Sequence, residues 1–310
     1  IGPAPSTRAV HPIFRDTRPM DLVAVIETVI IGALGGLAGG LFGTGGGIIV
    51  IPLLTILFGS DPHAFQAASL ISAIFVSAGA IPRHVRAKAI HVRFATHAAL
   101  ASLVTVLGGV WLSNAITNPV VIERIFAAFL AYVAAFEAWK IIRARRAGPV
   151  RPDQADDPAA SRATAAADVP SALQDARVEP QASVIGGIMG VMAGLLGLGG
   201  GVVAVPLIRG LTRFPLREAI ATSSAMIIVT VVVASALKLG SIYYMEPPPG
   251  DTTRDRMMYT LMLAGLLAPG GLIGARIGAQ LMHRLPLRPL ASAFALICLL
   301  LALRMARFGA

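Results

Sequence analysis

Two stretches of this sequence hold the groups best suited to chemistry, and they are copies of each other. Gly32 to Pro52 reads GALGGLAGGLFGTGGGIIVIP, and 154 positions later Gly186 to Pro206 reads GGIMGVMAGLLGLGGGVVAVP. In that register Gly32, Gly36, Gly40, Gly43, Gly45, Gly46, Gly47 and Pro52 fall on Gly186, Gly190, Gly194, Gly197, Gly199, Gly200, Gly201 and Pro206, which points to an internal duplication. Glycines spaced by four line one face of a helix and admit another backbone. The Gly-x-Gly-Gly-Gly run differs in kind: three successive glycines lower helix stability by roughly 1 kcal/mol each relative to alanine and accept positive φ, so a break is expected there. A break frees backbone N–H groups at the start of the next half-helix, where the helix dipole is positive and no side chain intervenes. The natural guest is an anion. Gly43, Thr44, Gly45, Gly46 and Gly47, with Gly197, Gly199, Gly200 and Gly201, are therefore the first candidate binding residues, against the plainer reading that the glycines only let helices cross.

Hydroxyl groups follow each glycine run. Ser69 and Ser72 lie beyond the first, Thr222, Ser223 and Ser224 beyond the second, and Ser69 falls on Ser223 at the same offset. Such hydroxyls could donate to an oxyanion, or they could bond to their own i−4 carbonyls and glue helices together. Arg276, in GGLIGARIGA, lies within an apolar stretch between Gly274, Ala275, Gly278 and Ala279. It either snorkels to an interface or lines an aqueous path. Arg83, His84 and Lys238 end apolar stretches, and His84 falls on Lys238; they serve as topological anchors or draw anions to a vestibule. Glu27, Glu123 and Glu137 stand near the ends of apolar stretches, which argues against a carboxylate proton relay and against a cation site.

Composition sets the class. The 310 residues are 55% hydrophobic and 14% charged, with a mean hydropathy of +0.75, too apolar for an ordinary soluble domain and suited to an all-α polytopic membrane protein. The net charge of +10 comes from basic residues in short loops, which favours topology and anionic headgroups over nucleic acid. Cys298 is the single cysteine, so there is neither an internal disulfide nor a cysteine metal cluster. No metal or cofactor is expected, and no Gly-x-x-x-x-Gly-Lys-Ser/Thr run provides for nucleotide-driven pumping.

Four regions divide the chain. Residues 1–20 are an extra-membrane segment with no apolar run long enough for a signal peptide. Residues 21–142 form a first membrane repeat, 143–182 a flexible linker rich in Ala, Pro, Asp and Arg, and 183–310 a second repeat. Each repeat has four hydrophobic segments, eight in all, the first of each broken at GxGGG. If all eight cross, the repeats are parallel and the basic residues lie mostly on the side of the termini. If the broken segments are re-entrant hairpins, three segments per half cross, the repeats are inverted and the basic bias, though weaker, favours the linker side. Both arrangements place the linker in the cytoplasm, and the sequence leaves the choice open.

The duplicated Gly-rich stretch ending in Pro-Leu, Pro52-Leu53 and Pro206-Leu207, resembles that of the sulfite exporter TauE/SafE family of bacterial membrane permeases, over about Val23 to Arg307 apart from the linker. The resemblance implies a multi-pass protein of the bacterial inner membrane, a secondary transporter rather than an enzyme, moving small sulfur-containing anions such as sulfite or sulfonates. Small-residue faces left toward lipid would allow a homodimer. Two other classes are weighed against it. An intramembrane enzyme acting on lipid-linked substrates would need clustered nucleophiles or metal ligands, and the six histidines are scattered. A non-transporting scaffold would need only the packing glycines.

Overall fold

The computed structural model describes residues 21–59, 61–146, 171–212, 214–245, 252–284 and 287–308; residues 1–20 and most of the linker lie outside them. The described residues are all helical, with no strand: α1 (Leu22–Phe42), α2 (Gly47–Phe58), α3 (Pro62–Arg86), α4 (Val92–Ala115), α5 (Pro119–Arg146), α6 (Ser171–Leu196), α7 (Gly201–Thr212), α8 (Leu216–Tyr244), α9 (Thr253–Arg284) and α10 (Leu287–Phe308). The helices flanking the linker are longer than expected, α5 continuing to Arg146 and α6 beginning at Ser171.

Local sequence sets the ends. Gly43 ends α1 in the left-handed region at φ 66°, its N–H bonded to the Gly39 carbonyl. α3 starts on Asp61, whose Oδ1 accepts from the Ala64 N–H at 3.2 Å, with Pro62 in its first turn, a paired start signal. Its last turn carries Arg83, His84 and Arg86, favourable at the negative end of the dipole. α9 starts at Thr253 because Thr252 and Asp255 cap each other: Thr252 Oγ1 accepts from the Asp255 N–H at 3.2 Å and Asp255 Oδ2 accepts from the Thr252 N–H at 3.1 Å.

Contacts that advance in step give the helix directions. Gly32, Gly36 and Gly40 of α1 meet Leu267, Gly271 and Ala275 of α9, backbone against backbone, so the two run parallel. Gly186, Gly190 and Gly194 of α6 meet Ala98, Ser102 and Val106 of α4 in the same way. α3 also runs with α9, from Asp61 beside Arg256 to Gly79 beside Leu272. α8 runs with α4, from Thr222 beside His91 to Lys238 beside Asn114. Early Gln66 of α3 meets late Ser113 of α4, so these two sets are antiparallel. α2 folds back along α1, with Gly46 and Val50 against Gly35, and Gly200 at the start of α7 folds back onto Met189 of α6. Each half thus opens with a helical hairpin, and the matched halves run in opposite directions.

Each half's first helix therefore packs on the other half's fourth. The small residues make this close approach possible, since any added side chain would meet backbone. Large apolar side chains such as Leu22, Val104, Trp111, Tyr132 and Leu300 point outward, more than half exposed. Such a surface belongs in lipid. Six of the described helices, α1, α3, α4, α5, α8 and α9, have the length and apolarity to cross a bilayer.

Candidate functional site

The two glycine runs meet at the buried centre. Gly43, Gly45 and Gly46 take φ of 66°, 78° and 85°, and Gly197, Gly199 and Gly200 take 72°, 73° and 79°, a region open to glycine at little cost. The runs cross antiparallel: Gly43 lies against Gly201, Gly45 against Gly199 and Gly47 against Gly197. A methyl added at Gly47 would stand 2.9 Å from the Gly197 carbonyl oxygen. Two hydrogen bonds lock the crossing and repeat at the offset of 154. Ser69 Oγ donates to the Gly197 carbonyl at 3.1 Å, and Ser223 Oγ donates to the Gly43 carbonyl at 3.0 Å. Each serine thus holds the glycine turn of the opposite half, which uses its proton on the fold itself.

The half-helices after the turns start without side-chain caps. No side chain caps α2 at Gly46, and the first helical bonds are those of the Ile49 and Val50 amides to the Gly46 carbonyl. In α7 the amides of Val203 and Ala204 both bond to the Gly200 carbonyl. The amides of Gly47 and Ile48, and of Gly201 and Val202, are thereby left outside helical bonding at the crossing. Two hydroxyls are buried with no hydrogen-bond partner among the described residues, Thr44 Oγ1 in the first turn and Ser72 Oγ on α3 beside Gly271 of α9; their residues are 3% and 2% exposed. Buried polar groups are nearly always paired, so these two are available to a guest.

The remaining expected residues divide. Thr222 is buried, its Oγ1 accepting from the His91 N–H at 3.1 Å, and Ser224 bonds back to the Ile220 carbonyl. Arg276 is exposed on the side of α9 away from α1. Its neighbours Gly274 and Gly278 pack on Ala33 and Leu37 instead, and the structure does not bring the guanidinium to the glycine turns. Lys238, expected as an anchor or vestibule charge at the end of a span, is fully buried. Its Nζ donates to His63 Nδ1 at 2.9 Å, Ser113 Oγ at 2.8 Å and Asn114 Oδ1 at 2.9 Å. Ser113 Oγ donates onward to Gln66 Oε1 at 3.0 Å, and Gln66 Nε2 donates to the Leu195 carbonyl at 3.1 Å, in the last turn of α6 before the second glycine run. Beside this network Arg256 grips Asp61 with two bonds, Nε to Oδ2 at 3.0 Å and Nη2 to Oδ1 at 2.6 Å.

Sequence reasoning passed over His63, Gln66, Ser113 and Arg256. One signal was present: His63, Gln66, Ser69 and Ser72 recur every third residue. On an α-helix that spacing steps back about 60° each time, so the ridge winds around α3 from Lys238, past the second glycine turn, to Gly271 of α9.

A chain with many exposed apolar helix faces and two backbone breaks crossing at its centre has the build of a polytopic membrane transport protein. Residues 28–305 match the profile of the family described as Sulfite exporter TauE/SafE, and the chain belongs to that family. It is 27% identical over 299 residues to the probable membrane transporter protein MamO of Paramagnetospirillum magneticum, an alignment covering 91% of this chain and 44% of that protein. It is also 27% identical over 290 residues to MamO of Magnetospirillum gryphiswaldense, covering 87% of this chain and 43% of that one. The chain thus spans less than half the length of these two relatives. Against the probable membrane transporter protein YunE of Bacillus subtilis it is 22% identical over 294 residues, covering 90% of this chain and 96% of YunE. No solved structure matches.

Proposed function

We propose that the chain is a secondary permease for small sulfur-containing anions, such as sulfite and sulfonates, and that the anion is held where the two glycine turns cross. The observation that carries this reading is the crossing: two uncapped half-helix starts meet in a buried centre, with the unpartnered hydroxyl of Thr44 in the first turn and that of Ser72 on the adjoining helix α3. Bare amides at positive helix ends and free hydroxyl donors suit an oxyanion. They set the sign of its charge, while the preference for sulfur rests on the description of the family.

The fold-back of α2 on α1 and of α7 on α6 favours hairpins that enter and leave on one side, with three helices of each half crossing. In that arrangement the repeats are inverted, the linker lies in the cytoplasm of a bacterial inner membrane and the described ends of the chain lie opposite. Rocking of one half against the other about the crossing then alternates access. A homodimer through the lipid-facing small residues fits this arrangement.

The test is flux in proteoliposomes across a panel of sulfite, sulfate, thiosulfate, taurine and sulfoacetate, paired with Gly46→Leu and Gly200→Leu. At φ 85° and 79° leucine is strained, and at position 46 its Cβ would stand 2.7 Å from the Gly35 carbonyl oxygen. Both variants are expected to insert in the membrane and to carry no anion. Wild-type flux in either would sink the site.

A further inference from the structure

The permease reading gives the most deeply buried charge in the described structure no task. Lys238 is fully buried, and the three N–H groups of its ammonium go to His63 Nδ1, Ser113 Oγ and Asn114 Oδ1, all neutral acceptors. The nearby carboxylate, Asp61, is engaged by both arms of Arg256. The other groups that face the cluster are few. α9 adds Arg256 and Tyr259, the latter packed on Phe65 of α3, α4 contributes Ser113 and Asn114, and α8 itself adds Ser241, which bonds Asn114 Oδ1 at 3.4 Å. A buried ammonium without a touching counter-ion is costly, and it is relieved by giving up a proton or by an anion arriving nearby.

We propose that Lys238 and His63 together hold one transported proton, so that anion passage at the glycine crossing is coupled to proton movement; this rests on the permease reading above. Because Nδ1 accepts from Lys238, His63 carries its ring hydrogen on Nε2, and Nδ1 is the one base among the three acceptors. The proton passes along the 2.9 Å bond: an Nζ–H bond breaks, an Nδ1–H bond forms, and the charge moves from ammonium to imidazolium. Loss of that proton to water leaves amine and imidazole, both neutral. Asn114 and Ser241 lie in the last turns of α4 and α8, and there, where both helices end, they give water its approach to Lys238.

The network also gives the proton a way to act on the glycine turn. With Lys238 charged, hydrogen bonds run in one direction, Nζ to Ser113, Ser113 to Gln66, and Gln66 to the Leu195 carbonyl, two residues before Gly197. A neutral amine has a lone pair, so Ser113 can turn its hydroxyl to donate to Nζ and release Gln66. Gln66 is also the residue packed on Gly197, its Cβ 2.8 Å from where a side chain at 197 would begin. Protonation is thereby tied to the grip on the second half's turn, and an anion bound there is tied to the proton.

The experiment separates coupling from passage. In proteoliposomes, ³⁵S-labelled sulfite and thiosulfate are followed in two modes: accumulation driven by an imposed pH gradient, and exchange at equal concentrations and equal pH. The wild-type chain accumulates label several-fold under the gradient. Lys238→Met loses that accumulation while keeping most of the exchange, and His63→Gln, which still accepts from the ammonium but cannot carry the proton, shows the same split. Accumulation indifferent to the gradient in the wild type, or retained in both variants, overturns proton coupling and leaves the permease standing. A wild-type chain that moves neither anion in either mode overturns the permease reading and this one with it. A purely structural role for the pair would lower both modes together and is overturning as well.

Discussion

The two places where a glycine turn rests on the opposite half occupy equivalent positions and are chemically unlike. In the 154 register Gln66 corresponds to Ile220 and Leu195 to Leu41. In the fourth helices, Val106 and Val110 stand against Gly194 as Ala275 and Ala279 stand against Gly40, and in that register Ser113 corresponds to Met282. At the second turn Leu195, Gln66 and Ser113 form a hydrogen-bonded chain leading to Lys238. At the first turn Leu41, Ile220 and Met282 form an apolar cluster. The same contrast recurs one layer inward, where Ser102 bonds Thr230 at 2.6 Å while their counterparts Gly271 and Val76 merely touch. Within this matched frame the long hydrogen-bonded chain to a buried ammonium lies on one side only, while the buried polar groups near the other turn make short local contacts such as that of Glu218 with His91 at 2.7 Å. The permease proposed above therefore has two unlike turns, one tied to a buried ammonium through a chain of hydrogen bonds and one held by apolar packing together with the Ser223 bond.

The largest expected effect lies at the root of the polar side. Asp61 caps α3 and takes both arms of Arg256, whereas its counterpart before α8 is Pro215, which makes no side-chain cap. Removing one partner of a buried ion pair costs about 3–5 kcal/mol, because the other charge is left behind, and loss of a cap adds about 1 kcal/mol. Asp61→Ala is therefore expected to lower the melting temperature of the detergent-solubilised protein far more than Pro215→Ala does. Equal shifts for the two substitutions would mean that the polar side contributes nothing special to the fold.

Exchanging the residues that differ gives a sharper and smaller effect. Gln66→Ile writes the first turn's chemistry onto the second. It leaves the Ser113 hydroxyl and the Leu195 carbonyl without their partner, at about 1–3 kcal/mol for each buried polar group orphaned. Ile220→Gln inserts an amide among Leu41 and Met282 with no partner in sight, at a similar cost. Stability alone does not tell the two variants apart, but flux does. Gln66→Ile is expected to flatten the dependence of anion flux on pH, because the path from Lys238 to Leu195 is cut, and Ile220→Gln to leave its shape as in the wild type. The reverse pattern would place the responsive gate on the first turn.

How much of this was legible depended on which part of a residue carried the signal. The breaks at Gly43–Gly47 and Gly197–Gly201 could be read because consecutive glycines change what the backbone itself can do, a local property. The pairing of Ser69 with Ser223 was visible through the duplication, yet the partner of each, the other half's glycine carbonyl, was not, because nothing local says that two turns 154 residues apart will cross. Lys238 was misplaced for a related reason: hydropathy sees it near the end of an apolar run, while α8 continues to Tyr244 and is covered there by α3 and α4. Arg256 follows the run Pro247, Pro248 and Pro249 and so reads as loop, although Thr252 and Asp255 spell a helix start beginning four residues ahead of it. Arg276 illustrates the opposite error. Its small neighbours do pack on α1, but an α-helix turns about 100° per residue, and the arginine between them faces out.

The smallest expected effect tests the frame shared by both sides. Ser69→Ala and Ser223→Ala each remove one hydrogen bond that crosses between the halves, 3.1 Å to the Gly197 carbonyl and 3.0 Å to the Gly43 carbonyl. Each is buried, and a typical intramolecular bond contributes about 0.5–1.5 kcal/mol, more where the carbonyl left behind finds no other donor. If the crossing is symmetric in its mechanics and asymmetric only in its surrounding chemistry, the two variants lower the melting temperature by nearly the same amount. They then differ in transport. Ser69 shares its helix and its ridge with His63 and Gln66, so its loss alters the pH response, whereas the loss of Ser223 reduces flux evenly at every pH. Unequal melting shifts would show that the polar network also stiffens its own side of the crossing, and the asymmetry would then be mechanical before it is electrostatic.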